Sequence, residues 1–232
     1  MKNPFCYFKT SPEIIRLAVM MYIGFPLSFR QAEDLLHERG IDICYETVRF
    51  WWNRFGPTFA VEIKKKSSAQ MRAGKQWCWH LDEVFVRING EVHYLWRAVD
   101  HEGEVLKAFV TKRRNRTAAL RFLRKAMKRY GRPEVIVTDR LRSYGAAMRE
   151  MGNEARQEIG RWLNNRAENS PQPFRRREQA MARFRSSKSL QKFASIHASV
   201  HTHFNQERHL NSHQAFKLNR VAALAEWRQL AA

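Results

Sequence analysis

Residues 134–139 read EVIVTD, a short apolar run that ends on an acid and lies between two segments of helical periodicity. A run of this length between helices has the pattern of a buried strand lying parallel to a neighbour. It points to an α/β sheet with helices laid upon it. In open sheets of this kind ligands gather beyond the carboxyl ends of the strands, so Asp139 is a candidate functional carboxylate.

The strands that such a sheet requires come earlier in the chain. Aromatic and β-branched residues fill QWCWHLDEVFVRI from Gln76 to Ile88, and Asn89-Gly90 then supplies a hairpin turn. A second strand follows from Val92 to Val99, a turn at His101 to Gly103, and a third strand from Val105 to Thr111. Ala119, Leu120, Leu123, Ala126, Met127 and Tyr130 share one helical face until Gly131 and Pro133 break it.

The first strand carries Asp82 and Glu83 at its middle. A carboxylate in a packed strand has to be paired, hydrogen-bonded or metal-bound, because leaving it charged and alone costs several kcal/mol or more. Either the strand is an edge with a solvated acidic face, or a cationic partner is built nearby. Strand alternation sends the two acids to opposite faces, which makes Glu83 a structural residue. Asp100, in AVDHEG, is a turn residue.

Charge narrows the partner. The chain of 232 residues has a net charge of +20, and 44% hydrophobic residues are enough for one or two domains with a real core. Such a field attracts polyanions such as a phosphate backbone. Residues 1–66 hold only +3 of the charge, so most contacts to a phosphate backbone fall to the remainder. Three cysteines without a CxxC pair suggest neither a disulfide framework nor a zinc knuckle, and fit a reducing compartment. The longest apolar run, LAVMMYIGFPL, has 11 residues, well short of the roughly 18 that span a bilayer. A cytoplasmic, nucleoid-associated protein with no membrane partner is expected.

Residues 1–66 have the pattern of an all-helical module. Ser11-Pro12-Glu13 starts a first helix, and Ser28 with Gln31 forms a capping-box pattern for a second that Gly40 ends. A third, CYETVRFWWNRFGP, buries Val48, Trp51, Trp52 and Phe55 and is expected to close at Gly56 and Pro57. Three short helices with a tight turn suggest helix-turn-helix, with Tyr45, Glu46 and Arg49 facing the major groove. Lys64, Lys65 and Lys66 then read as a solvated linker that could follow a phosphate track.

Three antiparallel strands, a helix, a strand ending in an acid and another helix form the order of a ribonuclease H-like mixed sheet. In that fold a carboxylate in the first strand lies beside one at the end of the fourth, as Asp82 and Asp139 would. The expected domains are 1–66, helix-turn-helix; 67–195, ribonuclease H-like; and 196–232, a C-terminal helical extension. A third acid should come from a helix after the last strand, where NNRAENSPQPFRRRE offers Glu168 and Glu178; spacing does not choose between them. QEIGRWL reads as the final strand, and Asn164 and Asn165 as a helix start that puts Glu168 in the first turn.

These motifs resemble the DDE transposases of bacterial insertion sequences, most closely insertion sequence family six. The resemblance runs from KNPFCYFK through WHLDEVFVRINGEVHYLWRAVDHEGE, VIVTDRLRSYG and NNRAENSPQPFRRRE to LQKFASIHASVHTHFNQERHL and AALAEWR. It implies that Asp82, Asp139 and Glu168 are the three catalytic acids. They would hold two Mg²⁺, or Mn²⁺ in its place, for in-line transfer of a freed 3′-OH to target DNA. Pro171 stands where related sequences commonly carry a histidine. Cointegrate formation and a homodimer that pairs two terminal inverted repeats are the implied outcome and assembly.

Beside the acids, Arg175, Arg176, Arg177, Arg183, Arg185 and Lys188 belong to a basic run suited to gripping phosphates. His197, His201, His203, His209 and His213 lack cysteine or acid partners at ligand spacing and read as helix residues, not a zinc site. Two other functions compete. A regulator that kept the fold but lost catalysis is opposed by the three intact acids, and a ribonuclease H-type nuclease leaves the helical module without a purpose.

Overall fold

A computed structural model describes residues 3–73, 78–101, 103–139, 141–159, 171–181, 184–204 and 211–231. Eight α-helices are described: α1 (Pro12–Gly24), α2 (Phe29–His37), α3 (Tyr45–Ala73), α4 (Arg116–Tyr130), α5 (Arg142–Glu150), α6 (Gln172–Ala180), α7 (Ser187–Phe204) and α8 (His213–Arg228). The strands are β1 (Cys78–Ile88), β2 (Glu91–Asp100), β3 (Val105–Thr111), β4 (Val135–Thr138) and β5 (Gln157–Ile159). The chain forms two compact units. One holds Met1–Lys65, Arg176–Ala182 and Ser199–Ala232; the other holds Lys66–Arg175 and Arg183–Ala198.

In the first unit the local signals act as expected. Ser28 Oγ accepts from the Gln31 amide at 3.1 Å while Gln31 Oε1 accepts from the Ser28 amide at 2.8 Å, closing both ends of the capping box. Gly40, at φ +70°, turns the chain away from α2 in a conformation that favours glycine. α3 departs from expectation: it continues through Pro57 to Ala73, so Lys64, Lys65 and Lys66 are helical and form no linker. An internal proline forfeits a backbone hydrogen bond at a cost of about 3 kcal/mol. Burial of Trp51, Trp52, Phe55, Phe59 and Ile63 along α3 offsets it, at roughly 1.5–3 kcal/mol for each large apolar side chain.

Of residues 196–232, expected as a C-terminal helical extension, Ser199–Ala232 fall in this same unit. The Trp227 ring meets Phe59 edge-on at 5.2 Å, and its Nε1 donates to the Arg16 carbonyl at 3.1 Å. Arg16, itself buried, donates from Nε to the Leu230 carbonyl at 2.8 Å. Partners far apart in sequence thus fix α8 against α1 and α3.

The second unit is built on one five-stranded sheet in the order β3-β2-β1-β4-β5. β1, β2 and β3 pair antiparallel, whereas β4 pairs parallel with both β1 and β5. That is the ribonuclease H-like arrangement, and the first three residues of QEIGRWL, Gln157–Ile159, supply its last strand as β5, while the other four lie outside the described residues. Asn89 (φ 51°) and Gly90 (φ 85°) make the β1–β2 hairpin turn, since both central residues of that turn type need positive φ. α4, capped by Asn115 Oδ1 accepting from the Ala118 amide at 3.0 Å, is the crossover from β3 to β4. Its Ala119, Phe122, Leu123 and Ala126 join Tyr144, Ala147 and Met148 of α5 over Trp79, Leu81, Trp96, Ala98 and Ile136 of the sheet.

β3 ends the sheet and its outer backbone groups need cover. Gln191 of α7 provides it, accepting from the Val110 amide at 2.8 Å and donating to the Ala108 carbonyl at 3.1 Å. Replacing Gln191→Ala removes both bonds at the edge strand, and an intramolecular hydrogen bond is worth about 0.5–1.5 kcal/mol net. The variant should unfold at lower urea concentration by about 1–2 kcal/mol with an unchanged slope; an unchanged midpoint would show that Gln191 is dispensable to the edge.

Candidate active site

β1 contributes two acids to opposite faces of the sheet. Asp82 is half-buried and stands directly across the ladder from Arg97 of β2, a buried guanidinium. Opposed residues on one face bring their Cβ atoms within about 5 Å, so Arg97 is the cationic partner that an acid in this strand requires. Burial pushes Arg97 down to about 10, with Asp82 acting against that change and the nearby Arg175 adding to it.

Glu83 turns the other way, into the α4/α5 side, and is buried beside Trp96, its partner in β2. Its carboxyl is pushed up to about 7, first by burial and next by the negative charge of Asp139, with Asp82 adding less and Arg114 opposing. The Arg114 guanidinium contacts Glu83 Oε1 through Nη2 and lies over the Phe85 ring at 5.3 Å. Tyr144 is fully buried next to this group, and burial followed by the Glu83 charge raises its hydroxyl well above the usual range. Neither the Tyr144 hydroxyl nor Glu83 Oε2 has a hydrogen-bond partner of good geometry.

Asp139 follows the last residue of β4. The β1–β4 register pairs His80 with Val137, so two residues further along each chain Asp82, in the interior of β1, and Asp139, just past the carboxyl end of β4, come level. Asp139 Oδ1 accepts from the Leu141 amide at 3.0 Å, and Oδ2 lies 3.8 Å from Arg114 Nη2. The Asp139 side chain is 45% exposed, which leaves its outer oxygen open to a ligand. Two carboxylates here, close enough for both to raise Glu83, concentrate negative charge on hard oxygens that suit a divalent cation. Among the described residues no trio of His, Cys, Asp or Glu that could hold a metal ion is found. Glu168, with Asn164 and Asn165, lies outside the described residues; Glu178 is half-buried in α6 within the first unit.

The expected DNA-contacting residues divide. On α3, Glu46 and Arg49 are exposed and Tyr45 is half-buried under the Arg30 guanidinium, 5.3 Å from its ring centre. The neighbouring Tyr45 hydroxyl pulls the Glu46 carboxyl below its usual range. The same face shows Phe50, Asn53 and Arg54, which the sequence reading missed; their signal was the complement of the buried Val48, Trp51, Trp52 and Phe55 stripe. Lys65 and Lys66 are exposed and Lys64 half-buried further along α3. Arg176, Arg185 and Lys188 are exposed, Arg175 is half-buried, and Arg183 lies outside the described residues.

Arg177 corrects the expectation. It is buried, with its guanidinium over the Tyr22 ring at 4.7 Å and Nη1 donating to the Leu27 carbonyl at 2.7 Å. Burial pushes it down to about 10. It cements the helical unit and does not face a phosphate. His197 is also a packing residue, stacked on Phe193 at 5.5 Å, and His203 Nε2 meets the Ala223 carbonyl at 2.9 Å.

Residues 76–207 match the family model DDE_Tnp_IS240, described as a DDE domain. The transposase for insertion sequence-like element IS431mec of Staphylococcus aureus (strain Mu50) is 32% identical over 146 residues. The transposase for insertion sequence element IS257 in transposon Tn4003, also from Staphylococcus aureus, is 31% identical over 146 residues. Each match spans 63% of this chain and 63% of the relative's length. Among solved structures, the HTLV-2 integrase catalytic core domain in complex with magnesium (dimeric form) is similar with a TM-score of 0.41 at 16% identity, over 58% of this chain and 89% of that one. That likeness is too loose to add to the topology.

The raised Glu83 carboxyl has a pH signature. Between about 4.5 and 7 the folded protein holds this proton more tightly than the unfolded chain, so the associated stability is complete below 4.5 and is lost as pH rises through 7. With metal chelated, wild type should lose on the order of 2–3 kcal/mol across that window relative to Glu83→Gln. Urea denaturation of both proteins at several pH values checks this; parallel stability curves would contradict it.

Proposed function

The chain belongs to the DDE transposases of bacterial insertion sequences, in the sixth insertion sequence family, and on that premise we propose that it cleaves and joins DNA at the ends of such an element. The observation that carries the proposal is the level placement of Asp82, within β1, and Asp139, at the carboxyl end of the neighbouring parallel strand β4. Asp82, Asp139 and Glu168 form the catalytic and metal-binding set. The chemistry that divalent ions held there supply, two Mg²⁺ with Mn²⁺ able to substitute, is activation of an attacking oxygen and charge neutralisation in an in-line phosphoryl displacement.

The chain's own residues prepare that reaction. Arg97 holds Asp82 within the sheet, and the Leu141 amide orients Asp139. The exposed stripe of α3, with Arg49 at its centre, enters the major groove of a terminal inverted repeat. Lys64, Lys65, Lys66, Arg175, Arg176, Arg183, Arg185 and Lys188 follow phosphates of the end and of target DNA. Two ends are paired by a homodimer, and joining to the target yields a cointegrate.

Purified full-length protein with a labelled element end and Mg²⁺ tests this. Asp82→Asn or Asp139→Asn should lower strand transfer on the order of 100-fold or more and leave end binding largely intact. Near-normal strand transfer by either variant removes that residue from the site. Glu168→Gln should abolish cleavage of a pre-bound end while Glu178→Gln should not; the reverse pattern would give the third position to Glu178. Arg49→Ala should cost about 1–3 kcal/mol of preference for the end over random duplex; an unchanged preference would remove it from base readout.

A further inference from the structure

Arg114 belongs to none of the roles assigned above, yet it stands inside the acidic site. Its guanidinium contacts the buried Glu83, reaches to 3.8 Å from Asp139 Oδ2 and covers the Phe85 ring. Its Nε is buried without a hydrogen-bond partner. The side chain keeps 31% of its surface exposed, while Glu83 and Phe85 hold its guanidinium from within the sheet unit.

A cation on Asp139 opposes a divalent ion on the same carboxylate, and a guanidinium is also a preferred partner of phosphate. We infer that Arg114 is a positioning residue which holds Asp139 in the DNA-free protein and transfers to a phosphate of bound duplex, so that DNA binding favours metal loading. Glu83 is the anchor about which Arg114 turns, since it is buried and cannot follow the phosphate. Linkage then requires the reverse effect too: the divalent ion should strengthen duplex binding by the same factor. This inference rests on the assignment of Asp139 as a metal ligand.

Mn²⁺ binding, measured by calorimetry on full-length protein with and without a duplex, is the direct test. In wild type, duplex should tighten Mn²⁺ binding by about 5-fold or more, the usual lower range of such couplings. In Arg114→Gln the DNA-free protein should already bind Mn²⁺ more tightly, and the gain from duplex should largely vanish. The double variant Glu83→Gln/Arg114→Gln leaves no buried unpaired carboxylate and should behave like the single variant even if that one folds poorly. Arg114→Lys keeps the charge and should retain part of the coupling. Unchanged or weaker Mn²⁺ affinity without Arg114, or a full duplex effect in its absence, overturns the inference and leaves the metal site standing. Mn²⁺ binding that is unaffected by Asp139→Asn overturns the metal site and the inference together.

Discussion

The parallel pairing of β1 with β4 at the centre of the sheet is the constraint on which the second unit depends. β3 and β4 run in the same direction on either side of β2 and β1 and cannot be joined by a tight turn, so α4 crosses over the sheet between them and buries its apolar face on it. The same pairing sets a register in which Asp82, interior to a long strand, and Asp139, just past a short one, reach a common level. β4 ends after Thr138, and just beyond it the Leu141 amide bonds Asp139.

Placing acids in a packed sheet carries an electrostatic cost, and this chain answers each with an arginine. Arg97 lies across from Asp82, and Arg114 stands between Glu83 and Asp139. Buried ion pairs of this kind contribute little net stability, and apolar residues of similar volume often serve a core better. The arrangement is instead suited to holding charge in fixed positions at an open edge. The net charge of +20 adds a field that attracts polyanions.

Much of this was legible in the sequence because the signals are local. The Asn89-Gly90 turn, the Ser28–Gln31 capping box and the strand from Val105 to Thr111 follow from turn chemistry, cap geometry and period alone. The demand for a cationic partner to a strand acid was also plain, but neither Arg97 nor Arg114 could be named, since pairing register and the approach of a loop are tertiary facts. Pro57 misled for the same reason: a local helix breaker was outweighed by packing of Phe55, Phe59 and Ile63. Among three consecutive arginines, helical phase turned Arg177 inward to Tyr22 and left Arg176 exposed, a distinction that composition does not carry.

The central claim is that Asp82 and Asp139 share one divalent-ion site with a third acid from the segment after β5. Replacing the ion with Fe²⁺ and generating hydroxyl radicals at it with ascorbate and peroxide cuts the backbone close to the bound metal. The account predicts cuts near residues 82 and 139 together with a third near 168, all lost on addition of excess Mg²⁺. Cleavage confined to one of these segments, or centred elsewhere on the chain, would contradict it.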